Sequence, residues 1–86
     1  MLKLRITKQV RKFFDTLPPK QYRQVFNKIL DLMDDPHPND SIQVQGYSYL
    51  RVDIGEYRII YQCQNDCLDV AYVDKRNDNE VYRNLK

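Results

Sequence analysis

The chain has 86 residues, enough for one domain with a modest core and too few for two. Hydrophobic residues make up 42% of the sequence, which argues against a disordered protein, and the formal net charge of +2 is too small to indicate polyanion binding by itself. No apolar run is long enough for a membrane span or a signal peptide. We therefore expect a single cytoplasmic domain over residues 1–86.

The charge is unevenly distributed along the chain. Residues 1–28 hold eight basic residues and one acidic residue, whereas residues 51–86 hold six basic and seven acidic residues. The basic residues of the first stretch are Lys3, Arg5, Lys8, Arg11, Lys12, Lys20, Arg23 and Lys28. They form either a surface for a polyanion such as RNA or the solvated faces of amphipathic helices.

The first predicted elements are a strand and two helices. Leu2–Ile6 alternates apolar and basic residues, which predicts an edge strand with one buried face. Thr7 is a suitable N-cap for a helix over Lys8–Thr16, which Pro18–Pro19 ends. Residues 20–34 place apolar side chains at helical spacing, so a second helix follows. The two helices should form an antiparallel pair that covers a sheet.

The second half of the chain predicts that sheet. Its strands are Ser41–Gln45, which alternates weakly, Tyr49–Asp53, the centrally placed Tyr57–Gln64, and Leu68–Val73. Residues 54–56 form one predicted turn, and Asn65–Asp66 is a two-residue turn typical of a tight hairpin. Period-2 spacing places Tyr57, Tyr61 and Tyr72 in the core. After Arg76, a short helix is predicted that puts Val81 and Leu85 on one face.

The predicted fold class is therefore α+β. It consists of an N-terminal strand, an antiparallel helix pair, three to four antiparallel strands and a short C-terminal helix, with one sheet face partly open. Asp34–Asp40, the loop after the second helix, contains two prolines and His37, the sole histidine. We expect His37 to be exposed rather than catalytic.

Two cysteines, Cys63 and Cys67, flank the predicted hairpin turn. A two-residue loop pairs Cys63 with Leu68 and Gln64 with Cys67, which places the cysteines on opposite faces of the hairpin and prevents a disulfide. A three-residue loop would instead place them opposite each other. Because no second pair of cysteines or histidines is available, we expect no bound metal and no cofactor.

Three arginines occupy related positions in the predicted sheet. Arg58 lies in the middle of a strand, where a charge rarely occurs without a use, Arg51 is one strand earlier and Arg76 follows the next strand. Their guanidinium groups can meet on one patch, and guanidinium is well suited to binding phosphate. The alternatives are an ion pair of Arg58 with Asp53, Glu56 or Asp74, and a solvated Arg51.

Several common catalytic motifs are absent from the sequence. It has two glycines in all, so it has no glycine-rich phosphate loop, and it has neither H-E-x-x-H nor G-x-S-x-G. An enzyme built from arginine, lysine and tyrosine suits RNA cleavage, because RNA supplies its own 2′-hydroxyl nucleophile.

The segment from Leu50 to Tyr61 resembles a signature of RelE/ParE-type toxins, which belong to toxin–antitoxin systems. The signature reads R-x-x-x-G-x-Y-R and is followed by two apolar residues and a tyrosine. Lys75–Arg76, followed by Tyr82, is similar to the C-terminal end of the RelE branch. The order of elements, the chain length and the Asp–Pro loop also agree with this family. The resemblance implies a ribosome-dependent endoribonuclease that cuts mRNA in the ribosomal A site, with no metal.

The resemblance also implies roles for individual residues. Arg58 would bind the scissile phosphate, Arg76 would face the leaving 5′-oxygen, and Tyr82 would orient the nucleotide or help activate the 2′-hydroxyl. Arg51 matches a basic position that is usually lysine in this family, and Tyr49 stands where a second lysine is common. An arginine is a poor general base, so Lys75 is a substitute, although its side chain should point away from Arg76.

The expected partners follow from the same resemblance. They are a cognate antitoxin, acidic and partly disordered, that wraps the toxin, and the ribosome with its mRNA, which the eight N-terminal basic residues and Lys75 would contact. We expect no membrane and no small-molecule substrate. The alternative function is a ParE-like inhibitor of DNA gyrase, or a binding protein of the toxin fold whose active site has decayed.

Overall fold

The computed structural model describes residues 1–76 and consists of two helices and a five-stranded sheet. The elements are β1 (Lys3–Ile6), α1 (Lys8–Asp15), α2 (Pro19–Asp34), β2 (Ile42–Gln43), β3 (Leu50–Ile54), β4 (Tyr57–Gln64) and β5 (Cys67–Lys75). The strand order is β1-β5-β4-β3-β2, antiparallel throughout except for the parallel pair β1–β5. The α+β prediction is confirmed for this part. The predicted C-terminal helix, with Val81 and Leu85, and the candidate Tyr82 lie outside the described residues.

Both helices begin where the sequence predicts. The Thr7 side chain accepts a hydrogen bond from the Val10 amide at 3.4 Å, which caps α1, and Pro19 is the first residue of α2, where its missing N–H costs nothing. Thr16 serves as the C-cap of α1 instead of its last residue. Within residues 1–76, neither helix is long and apolar enough to cross a membrane.

The main core lies between the helices and one face of the sheet. Its fully buried members are Val10 on α1, Val25, Ile29 and Leu32 on α2, Val52 on β3, and Ile59, Tyr61, Leu68, Val70 and Val73 on the central strands β4 and β5. Burial of each such side chain contributes on the order of 2 kcal/mol. The central strand β4 is therefore fixed on its helix-facing side, which determines where its other face points.

A β-bulge at Ala71 reverses the side-chain alternation of β5. Tyr61 pairs with Val70 but its neighbour Ile60 pairs with Tyr72, so Ala71 is an extra residue in the strand. As a result Val73 stays on the core side, and Tyr72 turns to the opposite face. The prediction that Tyr72 shares the core with Tyr57 and Tyr61 is wrong, because the strict period-2 spacing ends at the bulge.

The strand boundaries differ from the predictions at the β3–β4 turn and in β2. The β3–β4 turn contains Gly55 and Glu56 alone, since β3 extends to Ile54, one residue further than predicted. β2 is reduced to Ile42–Gln43. The β4–β5 hairpin has the predicted two-residue turn, and Cys63 pairs with Leu68 across it. Both cysteines are unbonded, on opposite faces of the hairpin.

Candidate functional site

The sheet face away from the helices carries an ion pair between neighbouring strands. Asp53 of β3 lies directly opposite Arg58 of β4. The Arg58 Nε atom donates to Asp53 Oδ1 at 2.8 Å, and Nη2 donates to Oδ2 at 3.4 Å. The Arg58 side chain is 15% exposed and that of Asp53 is 37% exposed. The two-pronged contact fixes the plane of the guanidinium group.

Arg76 joins this pair from the end of β5. Its Nε atom is 3.5 Å from Asp53 Oδ2, and its Nη1 atom donates to the Gly55 carbonyl oxygen at 3.2 Å. The Arg76 amide also donates to the Glu56 carbonyl oxygen at 2.8 Å. The β3–β4 turn therefore holds both the backbone and the side chain of Arg76 beside Arg58.

Arg51 completes the group from two positions before Asp53 on the same face of β3. The pKa of Asp53 is lowered, mainly by the hydrogen bond from Arg58 and against the effect of its own burial, with further lowering by the positive charges of Arg58, Arg76 and Arg51. The three arginines that the sequence predicts to meet are thus brought together, and they meet around Asp53. We call Arg51, Asp53, Arg58 and Arg76 the arginine cluster.

Two open cavities border Arg58 of the arginine cluster. One, of about 470 Å³, is lined by Gly55, Glu56, Arg58, Lys75 and Arg76. The other, of about 580 Å³, is lined by Ile42, Gln43, Val44, Gln45, Tyr47, Arg51 and Arg58. Arg58 is shared by both, so an anion bound to it has concave surface on either side. Lys75 lines the same cavity as Arg76, whereas strict alternation predicts that their side chains point apart.

A small apolar cluster lies beside the arginine cluster on this face. Ile60 is fully buried and Val44 is 5% exposed, and around them pack Tyr47, Tyr49, Ala71 and Tyr72. Tyr49, which stands where the resemblance leads one to expect lysine, is half-buried with its ring centroid 6.5 Å from that of Tyr47. Its position in this packing accounts for an aromatic residue there.

The eight N-terminal basic residues do not converge on the arginine cluster. They lie on β1, α1 and α2, and β1 is separated from β4 by β5. Two of them have acidic partners: Arg5 contacts Asp69 at 2.8 Å and Lys28 contacts Asp40 at 3.1 Å. The remainder, Lys3, Lys8, Arg11, Lys12, Lys20 and Arg23, are exposed.

The structure gives no indication of a metal centre in the part of the chain that it describes. Between Met1 and Arg76, no three His, Cys, Asp or Glu side chains are grouped to hold an ion. His37 is exposed, as predicted, and its amide donates to Asp35 Oδ1 at 3.2 Å within the loop. The arginine cluster supplies guanidinium groups and a carboxylate, and the neighbouring Lys75 supplies an amine.

Sequence reasoning missed the central place of Asp53. It treated this residue only as one of three possible partners of Arg58. The signal that identifies it is the length of the β3–β4 turn, because a two-residue turn at Gly55 and Glu56 pairs residue 54 with 57 and residue 53 with 58.

One protein family and several solved structures match this chain. Residues 2–80 match the family described as the ParE toxin of a type II toxin–antitoxin system, parDE. No protein with a curated description matches the chain. Similar solved structures include the archaeal RelE–RelB complex from Pyrococcus horikoshii OT3, with 26% identity and a TM-score of 0.78 over 88% of this chain and 96% of that one.

Two Escherichia coli structures are similar in fold. The isolated RelE toxin has a TM-score of 0.78 at 19% identity, over 96% of this chain and 93% of that one. The intact RelBE toxin–antitoxin complex has the same TM-score at 17% identity, over 91% of this chain and all of that one (100%).

Proposed function

The chain belongs to the ParE toxin family of type II toxin–antitoxin systems. From its arginine cluster and the similarity of its fold to RelE toxins, we propose that it is a ribosome-dependent endoribonuclease that cleaves mRNA and so inhibits translation. The observation that carries this proposal is the arginine cluster. Arg58 and Arg76 lie within 3.5 Å of one carboxylate, beside a cavity of about 470 Å³. That arrangement suits a phosphodiester, which carries the same charge as the carboxylate.

The proposed reaction uses the nucleophile that RNA contains. The 2′-oxygen attacks the adjacent phosphorus, the bond to the 5′-oxygen breaks, and a 2′,3′-cyclic phosphate and a 5′-hydroxyl result. Arg58 binds the non-bridging oxygens, and Arg76 stabilises the charge on the leaving 5′-oxygen. Arg51 adds positive charge, and Lys75, in the same cavity, is an amine that can transfer a proton. Tyr82 orients the nucleotide.

We propose two macromolecular partners in the cytoplasm. The first is the ribosome with bound mRNA, which the exposed basic residues of the N-terminal strand and helices contact. The second is a cognate antitoxin, since similar folds were solved as RelE–RelB complexes. An acidic, partly disordered antitoxin that folds on binding suits the positive charge of the arginine cluster.

The test is primer extension on a reporter mRNA in a translation extract. We expect codon-phased cuts that require ribosomes and disappear in both Arg58→Ala and Arg76→Ala. Gln64→Ala, at the exposed far end of β4, is the matched control and should cut normally. Intact mRNA in every sample, from protein that arrests growth, would overturn the nuclease proposal.

A second candidate function is inhibition of DNA gyrase without RNA cleavage. Two observations favour it: the family that matches is described by its ParE toxin, and the Arg58 guanidinium is bound by Asp53 in a contact that also serves the fold. A supercoiling assay with purified gyrase distinguishes the two functions. Inhibition of supercoiling together with intact mRNA would identify the second.

A further inference from the structure

The arginine cluster contains its own anion. The Asp53 carboxylate receives two hydrogen bonds from Arg58, at 2.8 and 3.4 Å, and lies 3.5 Å from Arg76 Nε. Gly55 and Glu56 form the turn that follows the strand of Asp53, and their carbonyl oxygens accept hydrogen bonds from Arg76. A carboxylate and a phosphate present oxygens to a guanidinium group in the same bidentate manner.

The same face of the sheet offers a comparison at its other edge. Arg5 and Asp69 form an ion pair with the same two distances, 2.8 Å from Nε to Oδ1 and 3.4 Å from Nη2 to Oδ2. Asp69 has one arginine there, and its other side-chain partners are the Cys67 thiol at 3.5 Å and Gln64. The Arg5 side chain is 72% exposed, against 15% for that of Arg58.

The two pairs therefore differ in what surrounds the carboxylate. Asp69 neutralises a single exposed arginine at an edge strand. Asp53 neutralises part of a group of three arginines, one of which is mostly buried and borders both cavities. Without a central anion, Arg58 and Arg76 would repel each other at close range.

We propose that Asp53 is an internal stand-in for the substrate phosphate: it holds Arg58 and Arg76 in the geometry that binds a phosphodiester, and a bound phosphate must compete with it for both guanidinium groups. Asp53 is thus a positioning residue that also lowers the affinity of the site for anions. This inference deepens the proposed function, because it names how the same site accepts its substrate.

Competition between Asp53 and phosphate can be tested by the direction in which phosphate affinity changes when the charge of Asp53 is removed. A residue that only supported the fold would weaken phosphate binding when changed, whereas a competing anion strengthens it when its charge is removed. Asp53→Asn keeps an oxygen that accepts from Arg58 and removes the negative charge. We expect Asp53→Asn to bind phosphate on the order of tenfold more tightly than the wild type at low salt, with the gain diminishing as salt is added.

The experiment titrates two probes into the full-length protein by NMR and calorimetry: inorganic phosphate, and a trinucleotide RNA with 2′-O-methyl groups that cannot be cleaved. Asp69→Asn is the matched control, and we expect its affinity to stay within about twofold of the wild type because a single exposed arginine is a weak phosphate site. Arg58→Ala should abolish phosphate binding, both in the otherwise wild-type protein and in combination with Asp53→Asn.

A second measurement uses the unmodified protein. In the wild type, phosphate should shift the signals of the Asp53 side-chain carbon and of Arg58 Nε–H, and leave those of Asp69 and Arg5 in place. Equal or weaker binding by folded Asp53→Asn, or phosphate binding that leaves the Asp53 signal unmoved, overturns the inference. Because the trinucleotide is not cleaved, these results are independent of the primer-extension assay, so each proposal can fail while the other stands.

Discussion

The Tyr61 hydroxyl donates a hydrogen bond of 2.6 Å to the main-chain carbonyl oxygen of Pro36. Tyr61 is a fully buried residue of the central strand β4, and Pro36 lies in the loop that follows α2. The contact therefore ties the loop between the helical layer and β2 to the middle of the sheet.

We expect Tyr61→Phe to lower the free energy of unfolding by about 1 kcal/mol, because it removes this bond and leaves the Pro36 carbonyl oxygen without its donor. For a chain of this size the midpoint of thermal unfolding should fall by roughly 4–8 °C. Urea denaturation measures the free energy of unfolding, and thermal denaturation measures the midpoint. The control is Tyr22→Phe, since Tyr22 is 40% exposed and its hydroxyl should contribute little. Equal effects of the two substitutions would contradict the expectation.

Tyr61 also predicts how stability responds to alkali. Burial raises its pKa to about 12 from the ordinary value of 10.0. A raised pKa means that the folded state favours the protonated phenol, so this contribution is complete below pH 10.0 and is lost as pH rises toward about 12. Unfolding by urea, repeated across this range, should show the loss in the wild type. A Tyr61→Phe variant that lost stability equally steeply over the same range would refute this assignment.

The predicted turn at residues 54–56 illustrates what the sequence specifies and what it leaves open. Within residues 1–76, alternation and helical spacing located the helices and strands to within a few residues, because burial on one side leaves a periodic trace. The predicted turn is one residue longer than the observed turn at Gly55 and Glu56. A three-residue turn does not place Asp53 opposite Arg58, so the sequence does not predict that pair. Register depends on the turn geometry, which side-chain periodicity does not record.

Other features depend on contacts distant in sequence. The bulge at Ala71 leaves no compositional sign, and it is this residue that sends Tyr72 to the opposite face. The convergence of Arg51, Arg58 and Arg76 was predictable, because a charge within an apolar strand is unusual and the neighbouring strands limit where the others lie. The central position of Asp53 was not predictable, because it depends on which acidic residue reaches the guanidinium groups.

Gly55 gives a prediction that concerns both stability and the site. Its φ is +58°, and a Cβ there would lie 2.7 Å from the Gln24 side-chain nitrogen. Gly46 has φ +84° with no atom within 4 Å of its hypothetical Cβ, so it is the matched control. Each change to alanine should cost on the order of 1 kcal/mol for the left-handed backbone. Gly55→Ala should cost only slightly more, because the far end of the exposed, flexible Gln24 side chain must also turn away.

The double substitution Gly55→Ala with Gln24→Ala separates the two costs. If the contact with Gln24 is responsible for the additional loss, the double variant should be about as stable as the sum of Gly46→Ala and Gln24→Ala predicts. Denaturation curves of the five proteins provide the comparison. Gly55→Ala and Gly46→Ala being equally stable would exclude a role for the close approach. Because Arg76 donates to the Gly55 carbonyl oxygen, we also expect Gly55→Ala to reduce the proposed mRNA cleavage.

Asp53 predicts the response of stability to acid. Arg58 lowers the pKa of Asp53 in the folded protein, so the ionised carboxylate stabilises the fold above the unfolded-chain value, near 3.9, and the benefit is lost as pH falls through the lowered pKa. The free energies of unfolding of the wild type and Asp53→Asn should therefore differ at neutral pH and converge in acid. Asp69→Asn should behave alike, since Arg5 lowers the pKa of Asp69. A difference that grew with acidity would contradict this.

The parallel pairing of β1 with β5 affects when the toxin can become active during its synthesis. Lys3 pairs with Cys67, sixty-four residues later, so among the strands of residues 1–76 β1 has no partner until β5 has been made. Such distant pairing slows folding, because a long loop must close before any contact forms. Arg76 also follows β5, so the arginine cluster is completed at the same late stage. A chain that ends before β5 and Arg76 therefore lacks both the β1–β5 pairing and the assembled arginine cluster.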